Sequence, residues 1–302
     1  MSEKADPRIA AFCSPTSPEI FHSVQHRHDI WKVDPFDVDT IHTEAREAFG
    51  RLLRRAAAPD GVDSGRILLL KGESGAGKTH LMRAFRDEVH RNASGFFGYM
   101  QLTSLTNNYP RYILGNVVDS LDHAYHEELE PRSALMRLSD TLAETPKVMR
   151  QCFPDEPGLD PLSALRERDL SRLKTVKLIH DCLSERIIRE GAFKHIDIDM
   201  IRVLLYLQTR DPLLKSLVVK WLRCDHLSPR DVETLGGIAP RLDEQSPTRM
   251  LEQLGHVMSA AGSAAMIVCV DQLEDVYNLD DAKNRFRRAI SALRAIIDDV
   301  PN

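Results

Sequence analysis

Residues 66–81 read Arg66-Ile67-Leu68-Leu69-Leu70-Lys71-Gly72-Glu73-Ser74-Gly75-Ala76-Gly77-Lys78-Thr79-His80-Leu81, and three signals follow one another along them. Ile67–Leu70 is an apolar run of strand length, expected to form a buried strand. Gly72, Gly75 and Gly77 let the backbone curl so that successive N–H groups point inward as an anion nest. A helix is expected from Lys78, with Leu81, Phe85 and Val89 on one face and its positive dipole end aimed at the nest. Strand, glycine loop and helix in this order predict an α/β protein with a phosphate cradle formed by Gly72, Glu73, Ser74, Gly75, Ala76, Gly77, Lys78 and Thr79.

The chemistry of that loop follows from its charged and hydroxyl side chains. Lys78 offers a mobile ammonium to the terminal phosphates of a triphosphate, and Thr79 offers a hard oxygen to Mg²⁺. ATP with Mg²⁺ is therefore the expected cofactor pair.

Working outward, Phe96–Leu102 reads as a second buried strand and Ala265–Val270 as a third. The third ends in Asp271-Gln272-Leu273-Glu274-Asp275. A carboxylate at a rigid strand tip can hold a magnesium site, so Asp271 joins Thr79 as a metal residue. Glu274, three positions on, can polarise an attacking water as general base, with Asp275 in reserve. Lys78 and Glu274 are thus the expected catalytic pair.

These motifs resemble the P-loop ATPases that place an acidic base beside the strand-end Asp, the broad group of AAA+ and initiator-type ATPases. Gly77-Lys78-Thr79-His80-Leu81 resembles the loop-to-helix junction of bacterial replication initiators, which implies that His80 belongs to the nucleotide site. Val270-Asp271-Gln272-Leu273-Glu274 resembles the form seen in signal-transduction ATPases with numerous domains. The segment Trp31-Lys32-Val33-Asp34-Pro35-Phe36 lies where AAA+ proteins pack adenine, or serves as a linker docked on the core. The resemblance implies a P-loop core with a parallel sheet flanked by helices. It also implies a homo-oligomer whose sites are completed by a neighbour's arginine, for which Arg285, Arg287 and Arg288 are available, and a protein partner or effector driven by hydrolysis.

Between the motifs the chain departs from the family, because Lys78 lies 193 positions before Asp271 (271 − 78). The expected organisation is a leader over 1–29 rich in His (His22, His26 and His28), a first part of the core over 30–109, a large all-helical insertion over 110–245 with Leu173, Val176, Ile179 or His180, Leu183 and Ile187 on one stripe, and the rest of the core over 246–302. Trp221–Arg223, followed by a Leu-Ser-Pro stretch, resembles ATPases of bacterial phage-exclusion systems and implies antiviral defence. In the family fold further strands follow the third, so the chain is expected to be an N-terminal piece, truncated after the helix ending near Asp299.

Composition narrows the rest. Hydrophobic residues at 42% exclude wholesale disorder, and a net charge of −5 does not indicate nucleic acid. Five cysteines without a Cys-x-x-Cys pair suit reduced thiols in a cytoplasmic protein. No apolar run approaches the roughly 20 residues of a membrane-spanning helix. No Asn-Lys-x-Asp motif indicates a GTPase, and no Leu-Ser-Gly-Gly signature indicates a transporter ATPase. The alternative to an ATP-driven engine is a nucleotide switch with slow or no turnover.

Overall fold

The computed structural model describes residues 27–33, 37–56, 65–102, 106, 108–144, 160–167, 170–209, 211–262, 264–273 and 282–299. A 3₁₀ turn at Arg27–Trp31 precedes α1 (Thr43–Ala56), and α2 (Lys78–Arg91) leads into β1 (Gly95–Gln101). α3 (Tyr109–Asp122) is followed by a ribbon of β2 (Ala124–His126) and β3 (Glu130–Ser133), then by α4 (Ala134–Ala143) and α5 (Pro161–Glu167). α6 (Arg172–Lys177) runs through a π-helical stretch at Leu178–Leu183 into α7 (Ser184–Arg189). α8 (Ile198–Tyr206), α9 (Pro212–Leu222), α10 (Pro229–Thr234) and α11 (Ser246–Gly262) bring the chain to β4 (Ala265–Asp271), and α12 (Ala282–Asp299) follows.

β1 and β4 pair in parallel, Gly95 against Ala265 through Gln101 against Asp271. Because side chains alternate along a strand, each strand feeds two layers. Phe97 and Tyr99 of β1, with Ile267 and Cys269 of β4, pack against Trp31, Phe49, Leu81 and Phe85 on the α1–α2 side. Phe96 and Met100, with Met266, Val268 and Val270, pack against α3, α4, α8, α9 and α11 on the other. The sheet is thus the middle of an α/β/α arrangement, and the long helical segment joins one continuous hydrophobic cluster with it. α3, already inside that segment, lies directly on β1 through Ile113, Val117 and Leu121.

Local signals account for several helix starts. Asn108 caps α3 by accepting the Arg111 N–H, with Pro110 in the first turn where no N–H is required. Ser228 and Asp231 form a reciprocal capping box at α10. Pro212 opens α9 behind Asp211, whose side chain accepts the Leu213 N–H.

Four findings differ from the expectations. Ile67–Leu70 enters no β-ladder among the described residues, and Ile67 and Leu69 are 71% and 59% exposed. Leu68 and Leu70 pack partly against the α1–α2 cluster, so only one face of the run is covered. Among its described residues the 110–245 segment consists of helices and their connecting loops except for the β2–β3 ribbon, which begins where His123 turns extended and ends α3. Leu173, placed on the buried stripe with Val176, Ile179, Leu183 and Ile187, is 79% exposed; the π-helical stretch adds a residue to the turn and rotates α6 relative to α7. Cys182 is disulfide-bonded rather than a free thiol, whereas Cys224 and Cys269 are free. Residues 1–26, including the expected His-rich leader at His22 and His26, lie outside the described residues.

Candidate functional site

Gly75 and Gly77 carry the two positive backbone angles of the loop, φ 82° and 78°, a region that side-chain-bearing residues avoid. They turn the chain back so that α2 starts at Lys78 with no side-chain cap, and its first N–H groups face the loop. The Ala76 N–H donates to Glu73 O at 3.2 Å, and Leu81 N–H to Gly77 O at 2.8 Å. The Lys78 ammonium donates to Gly72 O at 2.9 Å and Glu73 O at 3.0 Å, folding its chain back over the loop. Residues Gly72–Ala76 are exposed, and the lysine's partners are neutral carbonyls that an anion can replace.

The decisive contact crosses 192 positions: the Thr79 hydroxyl donates to Asp271 Oδ2 at 2.8 Å. Tyr99, on the neighbouring strand, donates to the same oxygen at 3.0 Å. Asp271 Oδ1 accepts the Gln272 N–H at 2.9 Å, at a residue with φ 57° where the strand turns away. Burial and the adjacent Asp271 charge raise the Tyr99 pKa, so the phenol remains a donor. Asp271, 6% exposed, is held by three donors at the end of β4.

Around the loop, His80 Nε2 meets Asp37 Oδ1 at 3.0 Å, and Arg46 clamps the same carboxylate with both terminal nitrogens. The Arg46 and His80 contacts hold Asp37 below its ordinary value against the opposing effect of burial. Arg83 and Arg86 of α2 donate to the carbonyls of Trp31, Lys32 and Val33, anchoring the preceding segment to the phosphate-loop helix. Trp31 is buried, edge-on to Phe97 and stacked on His123 at 4.6 Å. It is a docking residue of the core; the rest of the expected adenine segment, 34–36, lies outside the described residues.

The structure therefore brings Lys78, Thr79, His80 and Asp271 around one loop. Glu274 and Asp275 lie outside the described residues. Sequence reasoning missed Tyr99 and Asp37. Tyr99 stands in an apolar run where a phenol reads as core, and its one signal is that a buried tyrosine hydroxyl needs an acceptor. Asp37 lies in a polar stretch with no motif.

The donor set fits Mg²⁺ and nucleotide. A hydroxyl and a carboxylate, both hard oxygens, already touch. Among the described residues no group of three or more His, Cys, Asp or Glu could hold a metal alone. Mg²⁺ takes one or two protein oxygens and fills its shell with phosphate and water, and this pair supplies two.

A parallel sheet flanked by helices, with a glycine loop opening onto a helix and facing a strand-end carboxylate, defines a P-loop nucleoside-triphosphate-binding core. The family model of the AAA ATPase domain matches residues 43–297, and the chain belongs to that family. No curated protein and no solved structure matches the chain. No described helix is long and apolar enough to cross a membrane.

Proposed function

We propose that this chain binds ATP with Mg²⁺ at Gly72–Thr79 and hydrolyses it to drive or gate an oligomeric assembly. The Thr79–Asp271 hydrogen bond carries this reading, because it joins the loop to the strand-end carboxylate across the long helical segment. The backbone N–H groups of the loop bind phosphate oxygens, and the Lys78 ammonium leaves the Gly72 and Glu73 carbonyls to pair with them. Thr79 and Asp271 hold the metal, directly or through water, and Tyr99 keeps Asp271 oriented. Bound Mg²⁺ supplies neutralisation of charge on the terminal phosphates. Glu274 takes the proton of the attacking water. His80, tied to Asp37, lines the entrance to the loop.

Titrating Lys78→Ala with labelled ATP tests the site: a loss of about 100-fold or more is expected from an unpaired phosphate charge, and undiminished affinity overturns it. Glu274→Gln should keep binding and abolish turnover; hydrolysis at the wild-type rate would move the base to Asp275. A wild-type chain that binds but never turns over is the nucleotide switch instead. Sedimentation with ATP tests the oligomer, for which a strict monomer is the contrary result. Use in antiviral defence rests on the resemblance at Trp221–Arg223, and plaque counts with wild type against Lys78→Ala test it.

A further inference from the structure

His42 stands directly before α1 with φ 60°, a positive angle that few residues with a side chain adopt. Such a conformation is strained and persists only where the surroundings impose it. Here one guanidinium imposes it. Arg46 Nε donates to Ile41 O at 2.9 Å, its terminal nitrogens hold Asp37 and reach Val38 O, and the Arg46 N–H donates to His42 O at 3.1 Å. Residues 37–42 therefore wrap around Arg46, and the contact between Asp37 and His80 hangs the wrap on the first turn of α2.

The wrap aims an imidazole at the phosphate loop. A Cβ placed on Gly77 would lie 3.5 Å from His42 Nε2, and that nitrogen is the only atom of the ring within 4 Å of the point. Gly77 is the residue whose φ of 78° turns the chain into α2, immediately before the helix N–H groups that face an anion. His42 is exposed, as are Gly72–Ala76, so a ligand in the loop can reach it. Stacking on a base would require the face of the ring. What His42 presents to the loop is a nitrogen, which suits a hydrogen bond to an oxygen anion.

We propose that His42 is a phosphate-binding residue of this site, its Nε2–H donating to an oxygen of the polyphosphate chain beside Gly77. The proposal rests on the reading of Gly72–Thr79 as a phosphate site and adds to it a donor from outside the loop. Lys78 and the loop N–H groups hold the anion from within one short stretch, and His42 holds it from the segment before α1. Because the contact is to phosphate, it is blind to the base.

Calorimetry with magnesium ATP and with inorganic tripolyphosphate, on wild type, Lys78→Ala and His42→Gly, tests this. Glycine takes a positive φ without strain, so His42→Gly should melt at the wild-type temperature or above it. It should bind both ligands about tenfold more weakly, and by the same factor, as for a lost hydrogen bond to a charged group. Unchanged affinity for both ligands overturns the proposal. A loss confined to ATP also overturns it, since His42 would then read the nucleoside. So does a lowered melting temperature with both affinities intact, which would make His42 a structural residue. The ATP site fails by a different result: wild type that binds neither ligand, or Lys78→Ala that binds both as tightly as wild type, removes the phosphate loop and His42 together. Unchanged binding in His42→Gly alone removes His42 and leaves the loop standing.

Discussion

Phe96–Met100 and Ile67–Leu70 are both apolar runs of strand length, and the chain treats them in opposite ways. In β1, Phe97 and Met100 are fully buried, because β4 pairs along one edge while α2 and α3 cover the two faces. In the run before the phosphate loop, Ile67 and Leu69 face solvent, and Leu68 and Leu70 alone reach a hydrophobic cluster. Gly65 is tied to α12 by its N–H to Ile297 O at 2.8 Å, but no ladder follows among the described residues. Hydrophobicity makes a run eligible for burial. A neighbour on each face and a strand along an edge are what bury it.

The largest test of that contrast is Phe97→Ala. Truncating a fully buried ring between two layers should cost about 3–5 kcal/mol in urea unfolding. A cost below about 1 kcal/mol would mean that β1 is no more supported than Ile67–Leu70.

His90 sharpens the picture of what surrounds β1. It lies on α2, stacked on Tyr125 at 4.2 Å and edge-on to Phe97, with neither ring nitrogen hydrogen-bonded. Burial, then the nearby Arg86 charge, pushes its pKa down to about 3. The unfolded chain therefore takes up a proton below about pH 6.5 that the folded chain refuses. Its contribution to stability is complete above that pH and is lost as pH falls toward 3. Lowering the pH from about 7.5 to about 5 should cost the wild type about 2 kcal/mol more than His90→Phe, which keeps the stack and cannot titrate. Parallel pH profiles would show His90 to be solvated.

A smaller effect is expected from Tyr99→Phe, which removes one donor to Asp271 and leaves Thr79 and Gln272 in place. The loss should be about 1.5 kcal/mol, as for a hydrogen bond to a charged acceptor. Unchanged stability would mean that Asp271 does not rely on β1.

Leu69→Ser should change stability by no more than about 0.5 kcal/mol, since that side chain is mostly in water already. A cost comparable to Phe97→Ala would show that the exposed face is covered in solution, and would break the comparison at its weaker end.

Much of the site was legible because its parts are local. The loop needs glycine at Gly75 and Gly77 for its backbone angles, and lysine and a hydroxyl directly after them, and all of these stand within one short stretch. Asp271 was legible as the polar end of an apolar run. The fixing of Asp271 by Tyr99 and the tie from His80 through Asp37 to Arg46 were not legible. Each joins residues that carry no signal in their own neighbourhood. The exposed Leu173 was misplaced for a related reason, since a helical stripe assumes an unbroken 3.6-residue turn and the π-helical stretch breaks it.

By itself, then, the sequence determined the order strand-like run, phosphate loop, helix, and the presence of a later strand ending in Asp271, because glycine conformation and apolar patterning act over a few residues. Only the tertiary structure decided that Thr79 and Asp271 meet, that β1 rather than Ile67–Leu70 is the strand paired with β4, and that the long helical segment shares the core of the sheet. Those outcomes depend on which surfaces come to face one another, and burial and ladder hydrogen bonds are properties of the pair.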